Sequence, residues 1–438
     1  MQALISLDNA PPLAAPLRFF LSAPLFLMLA GLLLAVAGPE VFASRWLPAT
    51  LALVHLVTIG FMLQVMIGAM IQVLPVVAGA SLPRPLALAR FVHAALSVGA
   101  LLLAAGFLSG GAALLRLAAL LLALGVGAFL LAAMPVVLPQ VSTSPTIRGL
   151  KLSLFGLAGV AGLGVALALG LAHGWRLPYP ELADLHAGWG LAAWAGVLLA
   201  AMAYVMMPMF QLTPGYPARP SWWYPPLLLG LVLLWSLAVA LGWPLLTRLT
   251  QGMLAVVGLA FTGLTLRLQR QRRRARADAT SRYWLAGLCA ALGALAMLAA
   301  ATLWPAVTVW PAWTPLFAIL LLAGAFVSFI AGMLYKIVPF LTWMHLQLKM
   351  QPGLPAPNMN RLLPDPAMRR QALSYLMALA LLLGAAVAPS WLARPAGILL
   401  ALAGGWLWWN LLGTAWRYRL QAIALAGASD ERAQRAGG

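Results

Sequence analysis

Two histidines set in long apolar runs, His55 and His186, are the residues of this sequence best suited to chemistry. His55 opens the run HLVTIGFMLQVMIGAMIQVLP, which holds no carboxylate, and stands among Leu56, Ile59, Met62 and Met66. A neutral imidazole in such surroundings is a good ligand for haem iron or for copper. The bland alternative is an imidazole hydrogen-bonded to a helix carbonyl. His186, in ELADLHAGWGLAAW, stands at the entrance of a later apolar run and is the second candidate ligand. Asp184 and Glu181 precede it by two and five residues, spacings that do not pair side chains on a helix face. His173 reads as a loop residue, while His93 and His345 fall near the membrane surface opposite His55. Met62, Met66 and Met70 form a stripe at i, i+4, i+8; thioethers suit cuprous copper, although methionine also fills irregular core gaps. The single cysteine, Cys289, excludes an intrachain disulfide, a thiolate-held iron–sulfur cluster and a CxxCH haem attachment, and reads as a buried thiol. The sequence has no P-loop, no GxGxxG after a strand and no HExxH motif.

The run that begins at His55 returns twice. GAMIQVLP (68–75) is echoed by AMAYVMMP (201–208) and GMLYKIVP (332–339). The closing prolines are 208 − 75 = 133 and 339 − 208 = 131 residues apart, a nearly constant period. His55 lies 20 residues before its proline and His186 lies 22 before its own; the third copy has 316–319 there, without a histidine. Lys336 and Tyr204 hold comparable places in the later copies, and Lys336 is expected to snorkel to the surface or to mark a proton path. Gly60 and Gly68 permit close helix approach, and Gln64, Gln72 and Asn410 are placed to hydrogen-bond between helices.

These motifs must be held by membrane-spanning helices. The chain has 438 residues, of which 63% are hydrophobic and 8% charged, and its mean hydropathy is +0.96. A soluble domain would be roughly a quarter charged. Apolar runs of about 20 residues or more read as spans, and runs this uniform are not the alternating strands of a barrel. The expected fold is all-α and integral to the membrane. It is one membrane domain over 1–438 with twelve spans: 17–37, 48–78, 86–108, 112–138, 149–172, 184–211, 222–243, 246–267, 283–304, 313–343, 370–388 and 391–416. Dividing twelve by the three copies gives four helices per pseudo-repeat, over approximately 17–138, 149–267 and 283–416, with the echoed segment as the second helix of each. The N-terminal stretch is expected to be an uncleaved first span. The proline-rich loop after the tenth span reads as a linker, and residues 417–438 as a cytoplasmic tail ending without fixed structure.

The net charge of +19 follows the positive-inside rule and calls for no nucleic-acid partner. Basic residues gather after the even-numbered spans, notably in RLQRQRRRARADATSR (267–282), which has seven arginines. Attraction to anionic lipid is a second use for that loop. Both termini are therefore expected in the cytoplasm, with His55 and His186 toward the outer face.

Twelve spans in three arcs, with His55 on the second helix and His186 on the sixth, resemble subunit I of the haem–copper oxidase superfamily. The resemblance covers nearly the whole chain in topology. It implies a low-spin haem ligand at His55 and a copper ligand near His186. The family's histidine pair on helix seven is absent from SWWYPPLLLG (221–230), and its two haem histidines on helix ten are absent from WTPLFAILLLAGAF (313–326). A complete oxygen-reducing centre is therefore not expected. A weaker similarity is to the NnrS group of haem- and copper-containing membrane proteins associated with nitric oxide tolerance. The expected function is a multi-pass protein of the inner membrane that binds b-type haem, copper or both. It would serve respiration, nitrogen-oxide handling or oxidase assembly, beside respiratory-chain subunits or cytochromes. A permease for a small neutral solute and a metal-free structural partner of a respiratory complex are the alternatives.

Overall fold

The computed structural model describes residues 10–273, 278–348 and 359–436, and in them every regular element is helical. The nine N-terminal residues, part of the arginine-rich loop and most of the proline-rich linker lie outside the described residues. Twelve helices are long and apolar enough to cross a membrane. In chain order they are α1 (Ala14–Phe42), α2 (Pro48–Ala78), α3 (Pro85–Ser109), α4 (Ala112–Val137), α5 (Pro145–His173) and α6 (Tyr179–Gln211). The second half has α7 (Ala218–Ala240), α8 (Pro244–Arg270), α9 (Ala279–Leu303), α10 (Trp313–Gln347), α11 (Asp365–Val387) and α12 (Pro389–Leu425). This is a multi-pass membrane protein. Large apolar side chains such as Leu131 and Val256 point outward and are exposed, as contact with lipid tails requires. The last helix runs on to Ala436, where the sequence had suggested a tail without fixed structure. Alanine, arginine, glutamate and glutamine are strong helix formers, which favours the run-on.

Each span packs against its neighbours in sequence, and α1 packs against α12, so the chain closes into a ring. Lipid supplies no hydrophobic drive between helices, so close van der Waals approach must hold them together. The ring is closed by small residues: a methyl at Gly31 would lie 2.3 Å from the Ala401 nitrogen, and one at Gly397 2.4 Å from the Ala35 nitrogen. Only glycine lets these two backbones meet. Within the ring α2 touches α10, and the C-terminal halves of α2, α6 and α10 converge on one small cavity. The three helices therefore run parallel, with their N-terminal ends at one surface and their inner prolines, Pro75, Pro208 and Pro339, toward the other. The histidine-bearing surface is also where Trp46, Trp175, Trp243, Trp304, Trp310 and Trp391 are exposed, an aromatic belt at one interface.

α2, α6 and α10 share a further feature. Each contains a π-helical stretch, at Leu56–Leu63, Trp189–Gly196 and Ile319–Val327. π-Helix is rare and concentrates at functional sites, because its wider turn re-aims the side chains around it. Here it begins directly after His55 and three residues after His186.

Candidate metal site

The structure brings His55 and His186 together. Their rings lie 6.3 Å apart between centroids with planes 20° from parallel. The two residues are 186 − 55 = 131 positions apart in the chain, and the meeting is made by the parallel course of α2 and α6. Both are half-buried.

Each ring is oriented by a backbone carbonyl. His55 Nδ1 lies 2.7 Å from the Leu51 oxygen of its own helix, and His186 Nδ1 lies 3.1 Å from the Val160 oxygen of α5. A carbonyl only accepts, so each Nδ1 carries the proton and each Nε2 keeps its lone pair. Neither Nε2 has a hydrogen-bond partner among the described residues. Fixing one nitrogen of an imidazole so that the other is free is how proteins present histidine to a metal. Two imidazoles bound to one ion through metal–nitrogen bonds of about 2.0–2.1 Å have ring centres roughly 5–6.5 Å apart, and the observed separation lies in that range. Two imidazolium charges this close would repel in a low dielectric, so the arrangement suits two neutral rings.

Neighbouring helices hold the pair in place. Phe107 of α3 packs on His55 with ring centroids 5.2 Å apart. Glycines let α5 lie against α6: a methyl at Gly156 would meet the Ala193 oxygen at 2.2 Å, one at Gly159 the Trp189 ring at 2.1 Å, and one at Gly164 the His186 Cε1 at 2.9 Å. At the surface, Arg45, in the connection between α1 and α2, forms an ion pair with Asp184, two residues before His186. Both partners are more than two-fifths exposed, so the pair adds at most about 1 kcal/mol. Its effect is on register, since it ties the start of α6 to the segment that leads into α2. The sequence signals for these supports were present but faint: the glycine spacing in FGLAGVAGLG and a lone acid beside the histidine.

No third ligand joins the two. Among the described residues, no group of three or more His, Cys, Asp or Glu side chains comes together. His93 bonds Ser22 Oγ at 2.8 Å, His173 caps its own helix through the Leu169 oxygen, and His345 does so through the Leu341 oxygen. Met62, Met66 and Met70 are buried in the core. Cys289, expected to be buried, is exposed on the outer surface of α9, where an apolar thiol sits as comfortably in lipid as in a core. Lys336 Nζ lies 2.6 Å from Oδ2 of Asp278, the residue that caps the start of α9.

A larger cavity of about 520 Å³ opens among α6 to α10. Arg45, Asp184 and Arg248 stand at its polar end, and Tyr224, Phe261, Trp284 and Phe329 line its apolar depth. Neither His55 nor His186 is part of its wall, although Ala187 and Gly188 are. Neither a protein-family model nor a curated protein matches this sequence. The functional reading therefore rests on the geometry of the site.

Proposed function

We propose that this chain is an oxidase-like metalloprotein of the inner membrane in which His55 and His186 share one copper ion at the outer face. It would act in respiration, nitrogen-oxide handling or oxidase assembly, without a complete oxygen-reducing centre. The observation that carries the reading is the pair of facing imidazoles, each with its Nδ1 bound to a carbonyl and its Nε2 free. Cuprous copper accepts two ligands readily, and imidazole is among the donors it favours. Copper at such a site supplies one-electron chemistry or a binding position for a small diatomic ligand. The chain's own residues orient the ligands, through Leu51 and Val160, and shield them with Phe107.

A b-type haem fits these residues less well. A porphyrin needs a slot of about 300 Å³ or more against its axial ligand, and the 520 Å³ cavity has neither histidine in its wall. The pseudo-repeat of three four-helix arcs is supported by the π-helical stretches, which begin 133 and 130 residues apart. Cytoplasmic termini are supported by the arginines that follow the even-numbered spans, opposite the tryptophan belt.

The test is metal analysis and X-ray absorption of the full-length protein purified in detergent and supplied with cuprous copper. Copper bound through nitrogen ligands, and lost in both His55→Ala and His186→Ala, is the expected result. Copper retained by both variants overturns the reading. A Soret band that disappears in His55→Ala would replace copper with haem. One observation favours a second reading, a permease for a small neutral solute: the 520 Å³ cavity with its polar mouth. Solute flux in proteoliposomes that survives His55→Ala would select it.

A further inference from the structure

The cavity of about 520 Å³ changes character along its length. Arg45, Asp184, Arg248 and Gln251 stand at the histidine-bearing surface, and Phe261, Trp284 and Phe329 stand at the far end. On α8 the wall runs from Arg248 to Phe261, 261 − 248 = 13 residues, which is about 20 Å at the helical rise. That length is a large part of a hydrocarbon core about 30 Å thick. On α9 the wall takes Leu288, Ala291, Leu295, Leu298 and Thr302, one helix face at spacings of three and four. The cavity is therefore a slot that lies along the helices, charged at its mouth and apolar below. It also gives a use to the π-helical stretch of α10, whose Leu321, Ala325 and Phe326 line it. That copy of the repeat carries no histidine, so the histidine pair alone assigns its π turn no role.

The occupant is narrowed by charge and polarity. Arg45 and Asp184 are paired, so their charges cancel. Arg248 gives one N–H to the Thr302 oxygen at 2.7 Å and meets no carboxylate among the described residues. The mouth thus keeps one positive charge. Most of the Arg248 donors are unspent, and a planar guanidinium fork matches the two oxygens of a carboxylate. Gln251, three residues on and so on the same face, adds an amide that makes no hydrogen bond among the described residues. A compact polar solute would find few partners deeper in, where Thr262 spends its hydroxyl on the Gly258 oxygen at 2.8 Å. The apolar depth suits an alkyl tail instead. One uncancelled charge at one end of a single slot fits one head and one tail.

We propose that this slot binds a long-chain carboxylate, its head held by Arg248 and Gln251 and its tail running past Leu295 toward Phe261 and Phe329. The site goes beyond the copper reading and does not rest on it. It also differs from a route for a neutral solute, which would leave the charge at the mouth unused.

The experiment places the full-length protein in nanodiscs of phosphatidylcholine and adds hexadecanoate that carries a diazirine at its chain end. Photolysis should label the deep wall of the slot, near Phe261, Trp284 and Phe329, as read by peptide mass spectrometry. Excess unlabelled hexadecanoate should remove the label, and hexadecyltrimethylammonium should not. Arg248→Gln should weaken binding by about tenfold or more, the loss expected for a hydrogen bond to a charged group. Leu295→Trp sets a large ring in the slot and should abolish the deep label. If that variant does not fold, Arg248→Gln, at an exposed position, decides alone. Equal competition by the ammonium amphiphile, or labelling unchanged in Arg248→Gln, overturns the proposal. Competition by phosphatidylglycerol as strong as that by hexadecanoate would make the occupant a phospholipid and overturn the carboxylate. Copper bound through His55 and His186 should be the same in wild type and in both variants. A protein that takes up no copper but is labelled as expected leaves the slot standing, so the two proposals fail separately.

Discussion

Two polar clusters of this bundle are built on opposite principles. In the first, Tyr283 of α9 and Tyr335 of α10 both donate to Gln371 Oε1 of α11, at 2.7 and 2.9 Å. Gln371 Nε2 donates to the Ala403 oxygen of α12 at 3.0 Å, and Asn410 Nδ2 donates to the Tyr335 hydroxyl at 2.9 Å. The cluster closes on itself across four helices. The histidine pair is the second cluster, and it is open: each imidazole spends one nitrogen on a carbonyl and leaves the other unused. In a low dielectric a satisfied network rigidifies, whereas a free lone pair is costly unless it has a use. The difference separates a group that holds the fold from one that offers a ligand.

The sharpest test of that contrast is Gln371→Leu. It leaves two fully buried tyrosine hydroxyls without their acceptor, at about 1–3 kcal/mol for each. The thermal midpoint in detergent should fall markedly, while copper bound per folded molecule stays the same. His186→Ala should give the opposite pattern, with copper lost and the midpoint shifted by no more than about 1 kcal/mol equivalent. A large stability loss in His186→Ala with copper retained would reverse the roles assigned to the two clusters.

Gly164→Ala probes the pair without touching a ligand. The added methyl would sit 2.9 Å from His186 Cε1, so the ring must shift from its present position. Disturbing the support of a metal-bound imidazole costs roughly 10–100-fold in affinity. A competition titration with a cuprous chelator should show that loss. Unchanged affinity would mean that His186 is not held in the geometry a shared ion requires.

The sequence makes the spans and the ligand candidates legible, and the reasons are physical. A lipid-exposed helix must be apolar along its whole length, so all twelve spans stand out, and Pro48–Ala78 falls on the predicted 48–78. An imidazole in such a run is conspicuous for the same reason. What the sequence hides is partnership. His55 and His186 meet because α2 and α6 run parallel, a course set by tertiary packing and not by the local pattern around either residue. The acceptor for His186 is the Val160 carbonyl, and a backbone carbonyl leaves no mark in a side-chain pattern. The regular stripe of Met62, Met66 and Met70, visible in the sequence as a set of thioethers, is buried in the core.

Lys336 gives the smallest expected effect and extends the contrast to a charged pair. Asp278 caps the start of α9, where its Oδ1 accepts from the Ser281 nitrogen at 2.9 Å, and its Oδ2 meets Lys336 Nζ at 2.6 Å. Burial pushes the Asp278 carboxyl up, but the Lys336 ammonium and the Ser281 donors outweigh it and hold the carboxyl below its ordinary value. A depressed carboxyl stabilises the fold at neutral pH, and that stabilisation is lost as pH falls through the folded value. Lys336→Met removes the strongest of the opposing influences, so burial gains weight and the carboxyl takes up its proton at higher pH. The variant should lose about 1 kcal/mol at neutral pH, between the values for exposed and buried pairs. Its midpoint should also begin to fall at a higher pH than that of the wild type, in a series of melts taken from neutral down to about pH 3. Parallel curves for the two proteins would show that the ammonium does not set the carboxyl's charge. The charge of the acid at the start of α9 would then be set by its other neighbours, the Ser281 donors among them.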